Sequence, residues 1–529
     1  MTPAKILTAI LIACFFGLMI AVGLISRKSA KSVDGFVLGG RSVGPWLTAF
    51  AFGTSYFSAV IFVGYAGQFG WNFGLASTWI GLGNAFIGSL LAWNVLGRRT
   101  RLMTQHINSK TMPDFFEKRF DSKKLKVIAS AIVFVFMIPY TASLYNGLSS
   151  LFNIAFEIPY WVCIVVMALL TGIYVVFGGY MATAINDFIQ GIIMLGGIVS
   201  VIAAVLNYNG GFMESVELLA TQDNGGWEFA SMFGPDPIFL VVVVLLTSLG
   251  TWGLPQMVGK FYAISNEAAI KKGTLISTVF AIVVAGGCYF LGGFGRIFVE
   301  SVDPAVRPGL PVGGFDAVVP AMLAKMPDVI IAIVIVLVLS ASMSTLSSLV
   351  LTSASTLALD VIVPAHKKEV SEKKKLFILR VLIVFFIALS ATIAILKDTV
   401  LKDVAFIAQM MGISWGAMAG AFLAPFMYGL YWKKTTRPAV WTSFIFGVGI
   451  MCIQLPISLK VFSVANIPVL NFIFRTSLHS GVFAMLGGLV LVPLISLCTQ
   501  KYRPENTEQI FSCYDTQVTV SAKTSLENK

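Results

Sequence analysis

Five small or hydroxylated residues lie on one face of a single apolar segment. The stretch LVLSASMSTLSSLVL at 337–351 has serine, threonine and alanine where an ordinary membrane helix carries leucine, isoleucine and valine. Successive residues of a helix are about 100° apart around its axis. An arc of about 160° around this axis therefore contains Ala341, Ser344, Thr345, Ser347 and Ser348. Hard cations take several oxygen ligands, whereas hydroxyls also bond back to their own helix or pack against neighbours. The segment therefore predicts either a cation site or a packing face.

A single carboxylate interrupts another apolar region. Asp187 is the only acidic residue between 158 and 207. An ionisable residue at such a place is a functional candidate by default, although a carboxylate at a helix start also interacts favourably with the helix dipole. Asp187 is therefore a candidate cation ligand. The alternatives are the helix-start role and a place on the exit path of an ion that does not reside there.

The composition indicates a polytopic membrane protein. Of 529 residues, 57% are hydrophobic and 12% charged, and the mean hydropathy is +0.86. Apolar runs close to the ~20 residues that span hydrocarbon recur along the chain. They predict thirteen spans, at 5–26, 44–70, 76–97, 126–152, 158–178, 184–207, 236–258, 273–295, 327–359, 376–396, 403–431, 438–457 and 478–499.

Basic residues predict the orientation. With the N-terminus outside, the inner segments hold 28 of the 37 lysines and arginines and the outer segments hold eight. This asymmetry follows the positive-inside rule. It also accounts for the net charge of +12, so a nucleic-acid partner is not needed to explain that charge. The inner segments are 27–43, 98–126, 260–272, 361–375, 433–437 and the tail after 500. We therefore expect a multi-pass cell-membrane protein with a cytoplasmic C-terminus.

The cysteines, the histidines and the C-terminal tail argue against an enzyme. The six cysteines have no spacing typical of a zinc site or a disulfide framework, and the three histidines lie in predicted loops or at span ends. The polar tail 500–529 is too short for a signalling domain, and its composition predicts disorder.

Two predicted spans carry helix-breaking residues. The segment 44–67 has Gly53-Thr54-Ser55 at its centre, and the segment 247–261 clusters Gly250, Gly253 and Pro255. Irregular backbone at membrane depth occurs only where it is buried in protein or lines a cavity; packing glycines and a proline kink are the alternative. The two segments lie five spans apart, and paired interruptions in two halves point to the central site of a transporter.

Five stretches resemble the sodium:solute symporter family, in order and on the expected spans. They are FVLGGRSVGPW (36–46), YVVFGGYMATAINDFIQ (174–190), GLPQMVGKFYA (253–263), SASMSTLSS (340–348) and GLYWKKTTRPA (429–439). The resemblance runs from about residue 5 to 455 and implies an all-α, leucine-transporter-like fold. The implied units are a first helix with its inner loop (1–43), two inverted five-helix repeats (44–207 and 236–432), two further helices (433–499) and a cytoplasmic tail (500–529).

The resemblance also implies sodium ligands. Carried over by position, the common sodium site takes the carbonyls of Thr54, Phe57 and Ala341 and the hydroxyls of Ser344 and Thr345. Some family members bind a second sodium, for which the matching residues are Ser344, Ser347, Ser348 and Asp187. One sodium ion, or two, is therefore expected.

The substrate pocket is expected between the two breaks. Its candidate lining residues are Tyr56, Ser58, Phe62, Tyr140, Thr247, Thr251, Trp252 and Gln256. The proline branch of the family has an aspartate at position 56 and aromatic residues at 247 and 251, whereas GTWGLPQ (250–256) looks closer to acetate, pantothenate and monocarboxylate permeases. No lysine or arginine is predicted in this pocket, so sodium, helix-break amides and hydroxyls would have to hold a carboxylate.

Together these features predict a sodium-coupled symporter that imports a small, carboxylate-bearing metabolite by alternating access. The substrate would be an amino acid such as proline, or a monocarboxylate or pantothenate-like acid. The alternatives are a carrier of sugar or another solute, a proton-coupled carrier, and a non-transporting solute sensor on the same fold. The expected partners are the substrate and the lipid bilayer, with no nucleic acid, and the expected functional unit is a monomer.

Overall fold

The computed structural model describes residues 3–156, 159–303, 309–400, 406–459, 461–464 and 466–515. Residues 403–405 of one predicted span and the tail beyond 515 lie outside this part of the chain. The described residues contain helices and no strands. The long helices are α1 (Pro3–Ser26), α2 (Pro45–Tyr56), α3 (Val60–His106), α4 (Lys123–Phe156), α5 (Tyr160–Tyr208), α6 (Pro237–Ser248), α7 (Pro255–Ala263), α8 (Glu267–Ile297), α9 (Asp328–Ala365), α10 (Glu372–Val400), α11 (Phe406–Tyr431), α12 (Arg437–Ser458) and α13 (Ser477–Cys498).

Short helices occupy the connections between the long ones. They are Val33–Leu38, Met112–Phe120, Phe212–Thr221, Trp227–Ala230, Val318–Leu323, Pro468–Ile473 and Thr507–Phe511. Ten helices in the described residues are long and apolar enough to cross a membrane, or eleven if the bent pair α6 and α7 forms one span. The total of thirteen spans stays a prediction.

Two of the helical stretches are interrupted by a left-handed glycine. At 1.5 Å per residue, the 49 residues of α5 would extend roughly 74 Å, far beyond the ~30 Å hydrocarbon core. Gly179 divides α5 with φ 54°, and Gly74 divides α3 with φ 59°. A Cβ atom at Gly74 would lie 2.0 Å from the Phe229 carbonyl oxygen, and one at Gly179 would lie 2.7 Å from the Phe36 carbonyl oxygen. Each glycine falls between two spans that the sequence predicts separately.

Helix α9 lies in the interior of the helix bundle. It packs against α4, α5, α1 and α2, and all five residues of its hydroxyl-rich face are buried. Helix α2 also packs against α5, α8 and α7. The two helices that were predicted to carry functional oxygens are therefore neighbours inside the protein rather than on its lipid-facing surface.

The prediction of disorder for the tail is wrong for residues 500–515. The helix Thr507–Phe511 places Ile510 and Phe511 in buried positions, and the guanidinium of Arg119 lies 4.9 Å from the centre of the Phe511 ring. Lys433 and Arg503 pair with Glu508, and their hydrogen bonds hold the pKa of that carboxyl below its usual range. The sequence shows only a few apolar residues here, and the surface that buries them comes from elsewhere in the chain.

Replacing Phe511 with alanine is expected to release the tail from the rest of the protein. Truncating a well-packed phenylalanine costs about 3–5 kcal/mol, so amide hydrogen exchange across 500–515 should accelerate at least tenfold. Phe511→Leu, which keeps most of the apolar volume, is the control and should accelerate it less. Unchanged exchange in Phe511→Ala would show that the docked tail does not depend on this side chain.

Candidate functional site

The first helix break lies at Phe57 and Ser58. Helix α2 ends at Tyr56, Phe57 is extended with φ −91° and ψ 113°, and a π-helical segment, Val60–Tyr65, follows the break. The prediction that centred this break on Gly53-Thr54-Ser55 is therefore wrong by about three residues. Gly53 is helical, and a Cβ atom there would lie 2.4 Å from the Phe280 ring. This glycine serves close packing, while the break frees carbonyls in the last turn of α2.

The second break separates α6 from α7, where the sequence predicts it. A 3₁₀ turn covers Leu249–Gly253, Leu254 is extended, and Pro255 starts α7. The two helices meet at an angle of 47°. A Cβ atom at Gly253 would lie 2.9 Å from the backbone of α11 at Ala419, so the break also brings α11 against this segment.

Five oxygen atoms from α2, the first break and α9 form one buried cluster. The Ser344 hydroxyl lies 3.1 Å from the carbonyl oxygens of both Thr54 and Ala341 and has one hydrogen to donate to either. The Thr345 hydroxyl faces three carbonyls, those of Thr54 at 3.1 Å, Ala341 at 3.2 Å and Phe57 at 3.4 Å. The structure thus brings together all five residues predicted for the common sodium site.

The residues predicted for a second sodium have other partners in this structure. The Ser347 hydroxyl donates back to the Ser344 carbonyl of its own helix at 2.9 Å. Ser348 Oγ lies 2.7 Å from Ser55 Oγ. Asp187 is fully buried on α5, and its Oδ2 lies 3.7 Å from Lys260 Nζ.

Lys260 lies within a helix, whereas the sequence predicts it in an inner loop. The predicted inner segment 260–272 begins with this residue. In the structure it belongs to α7, is 3% exposed, and lines a cavity of about 50 Å³ together with Gln256 and Tyr180. The apolar residues Phe261, Tyr262 and Ala263 that follow it indicate that the helix continues past this lysine.

All eight predicted substrate residues are buried, and several meet near the first break. The Tyr56 phenol donates to the Thr247 carbonyl at 2.7 Å. The rings of Tyr56 and Tyr140 lie against Trp415 on α11, with centres 5.6 and 6.0 Å away. Sequence reasoning missed Trp415, although it is the only aromatic residue in the glycine- and alanine-rich stretch GISWGAMAG (412–420).

The other predicted substrate residues are distributed more widely. Thr251 lines a cavity of about 10 Å³ with Tyr56 and Asn84, a residue that sequence reasoning missed. The hydroxyls of Thr247 and Thr251 donate to carbonyls three or four residues earlier. The Trp252 indole donates to the Ile87 carbonyl at 3.0 Å and thereby joins α3 to the second break. Ser58 is buried within the first break and Phe62 is buried just after it. Gln256 lines the cavity beside Lys260.

Comparisons with known proteins agree with this geometry. The sodium/proline symporters of Staphylococcus aureus strains JH9 and NCTC 8325 are each 29% identical over 451 residues, covering 83% of this chain and 84% of theirs. The solved structure of a Na⁺-coupled sialic acid symporter, in a substrate-bound outward-open state, superposes with a TM-score of 0.71 at 18% identity. That match covers 93% of this chain and 97% of the other.

The predicted fold class, an all-α leucine-transporter-like membrane protein, is confirmed. The sequence model of the sodium:solute symporter family matches residues 36–447. The family consists of transporters, which agrees with the expectation that the chain is not an enzyme. The chain belongs to the sodium:solute symporter family and is a sodium-coupled carrier that imports a small solute.

Proposed function

We propose that one sodium ion binds in the oxygen cluster between α2 and α9 and drives the import of a small carboxylate-bearing metabolite. The observation that carries this proposal is the convergence of three carbonyls and two hydroxyls on one buried point. The ligands are Thr54, Phe57 and Ala341 through their carbonyls and Ser344 and Thr345 through their hydroxyls.

The spacing of these oxygens suits a hard cation. Octahedral oxygens at about 2.3–2.6 Å from an ion stand roughly 3.3–3.7 Å from one another, and the hydroxyl–carbonyl distances here are 3.1–3.4 Å. If these oxygens moved apart by a few tenths of an ångström, an ion would fit between them. The two hydroxyl hydrogens, which now point at carbonyls, would rotate away so that the oxygen lone pairs face the ion.

The first break links this cluster to the substrate region. Tyr56 lies between the ligands Thr54 and Phe57, and its phenol reaches the Thr247 carbonyl on α6. An ion that orders the break therefore also fixes the Tyr56 ring against Trp415. Such coupling is reciprocal, so sodium should tighten substrate binding and substrate should tighten sodium binding by the same factor.

The substrate region is closed in this conformation. The cavity beside Tyr56 and Thr251 measures about 10 Å³, close to the ≳ 10–15 Å³ that a single water needs. A metabolite enters only after α2, α6 and α11 move apart. The larger cavity beside Lys260 reaches Lys110 and Thr111, on the side that the basic loops predict to be cytoplasmic. Alternating access between these two sides is the mechanism that the geometry supports.

A carboxylate-bearing substrate is supported by the relatives named as sodium/proline symporters. The aromatic cluster of Tyr56, Tyr140 and Trp415 would suit an apolar body next to a carboxylate once the region opens. Amino acids and monocarboxylate or pantothenate-like acids both fit this description. A sugar or another solute, and a sensor without transport, are the alternatives. The proposal also includes a monomer as the functional unit, the two repeats at 44–207 and 236–432, and a cytoplasmic C-terminus.

Removing the Thr345 hydroxyl is expected to weaken sodium binding at least tenfold. The lost oxygen ligand removes a favourable contact with the ion, and the Phe57 carbonyl also loses its hydroxyl neighbour. The measurement is a sodium titration of the thermal stability of the purified protein, with potassium keeping the ionic strength constant. Thr345→Ser should preserve binding.

The matched control for this variant is Ser340→Ala. Ser340 is a buried hydroxyl on the same helix whose Oγ donates to the Val336 carbonyl at 2.7 Å. Its loss should leave the sodium midpoint unchanged. Equal midpoints in Thr345→Ala and Ser340→Ala would remove Thr345 from the sodium site.

The substrate class can be determined by thermal shift in sodium and in potassium. Amino acids, monocarboxylates, pantothenate-like acids and sugars are compared, and we expect stabilisation by a carboxylate compound in sodium only. Tyr56→Phe, which loses the hydrogen bond to the Thr247 carbonyl, should weaken that response several-fold. Tyr428→Phe loses a similar bond to the Leu489 carbonyl outside this region and should not. Stabilisation by a sugar, or equal shifts in potassium, would contradict the proposed substrate class or the coupling.

A further inference from the structure

The side chain of Lys260 lies among the residues predicted for a second sodium ion. Its ammonium is 3.0 Å from Ser348 Oγ and 3.7 Å from Asp187 Oδ2. It also lies 5.3 Å from the centre of the Tyr180 ring. Lysine, carboxylate and serine are each at least 97% buried. A cation therefore already sits between the carboxylate of α5 and the hydroxyl face of α9, and it is covalently attached to α7.

The direction of the hydrogen bonds around Lys260 follows from its chemistry. An ammonium group has donors only, so Ser348 Oγ must accept from Lys260 Nζ. The hydrogen of Ser348 is then free to point at Ser55 Oγ, 2.7 Å away. Ser55 precedes Tyr56 and follows Thr54, whose carbonyl belongs to the proposed sodium cluster. A continuous chain of polar groups thus runs from Lys260 to the first break.

Charge balance argues against an additional ion at Asp187. The buried carboxylate and the buried ammonium neutralise each other, whereas a sodium ion beside them would place two positive charges around one carboxylate. Charges repel far more strongly in a buried site than in water, and an unbalanced buried charge is costly. Ser347, another predicted ligand, donates its hydroxyl hydrogen to the Ser344 carbonyl.

We propose that Lys260 is a tethered cation that takes the place of a second sodium ion, so that the protein binds one sodium ion per chain. This inference rests on the proposed sodium site at α2 and α9 and specifies its stoichiometry. With Asp187 and Lys260 balanced, one sodium and a monoanionic substrate make a loaded site with no net charge. One sodium with a zwitterionic amino acid leaves one positive charge to cross the membrane.

The test is equilibrium binding of radioactive sodium to the purified full-length protein, counted per chain at saturation. The wild type should bind one ion. Lys260→Gln removes the tethered charge and should bind two, and the double variant Lys260→Gln/Asp187→Asn, in which both charges are absent, should bind one again. Lys260→Arg keeps a cation and should also bind one.

Lys110→Gln is the matched control, because Lys110 lines the mouth of the same cavity but pairs with Asp34 at 2.9 Å. It should bind one ion. Two ions on the wild type, or a single ion on folded Lys260→Gln, would overturn the role of Lys260. If Lys260→Gln does not fold, two ions on the wild type or on the double variant would still overturn the role of Lys260. No saturable sodium binding to the wild type, by contrast, would contradict the sodium site itself.

Discussion

The structure depends on one requirement: backbone carbonyls inside a membrane must have partners. Lipid offers none, and each unsatisfied group costs several kcal/mol. Where α2 stops at Tyr56, the carbonyls of Thr54 and Phe57 face the hydroxyls of Ser344 and Thr345 on α9. The irregular backbone is thus tolerated because a hydroxyl-rich helix lies beside it. The same arrangement creates the proposed cation site, so stability of the break and binding of the ion share one set of atoms.

The position of α9 explains how a small ion can influence several helices. It packs against α1, α2, α4 and α5, and its serines reach both the first break and, through Ser348, Lys260 on α7. The Tyr56 phenol connects the break to α6, and Trp415 connects it to α11. Helices α6, α7 and α11 are therefore connected to the proposed sodium cluster through side-chain contacts.

In the proposed one-ion stoichiometry, the pairing of Asp187 with Lys260 limits the energy that sodium can supply. One charge that moves through ~100 mV releases ~2.3 kcal/mol, and a tenfold sodium gradient adds about 1.4 kcal/mol. With one ion, a neutral or zwitterionic substrate could be accumulated roughly 500-fold. A monoanionic substrate would cancel the electrical part, because its charge accompanies the ion. The stoichiometry and the charge of the substrate together therefore determine how strongly this carrier can concentrate its solute.

The sequence by itself determined the membrane class, the hydroxyl face of 341–348, the second break and the family, because these depend on local composition and on spacing along single helices. It did not determine where the first break lies, since Gly53 serves packing against Phe280 and a glycine in sequence does not distinguish a break from a close contact. It also misplaced Lys260, missed Trp415 and predicted disorder where Phe511 is buried. Each of these depends on a partner far away in the chain, such as Asp187 for Lys260 and Arg119 for Phe511. Only the tertiary structure decided these features, because burial and charge compensation are properties of pairs of helices.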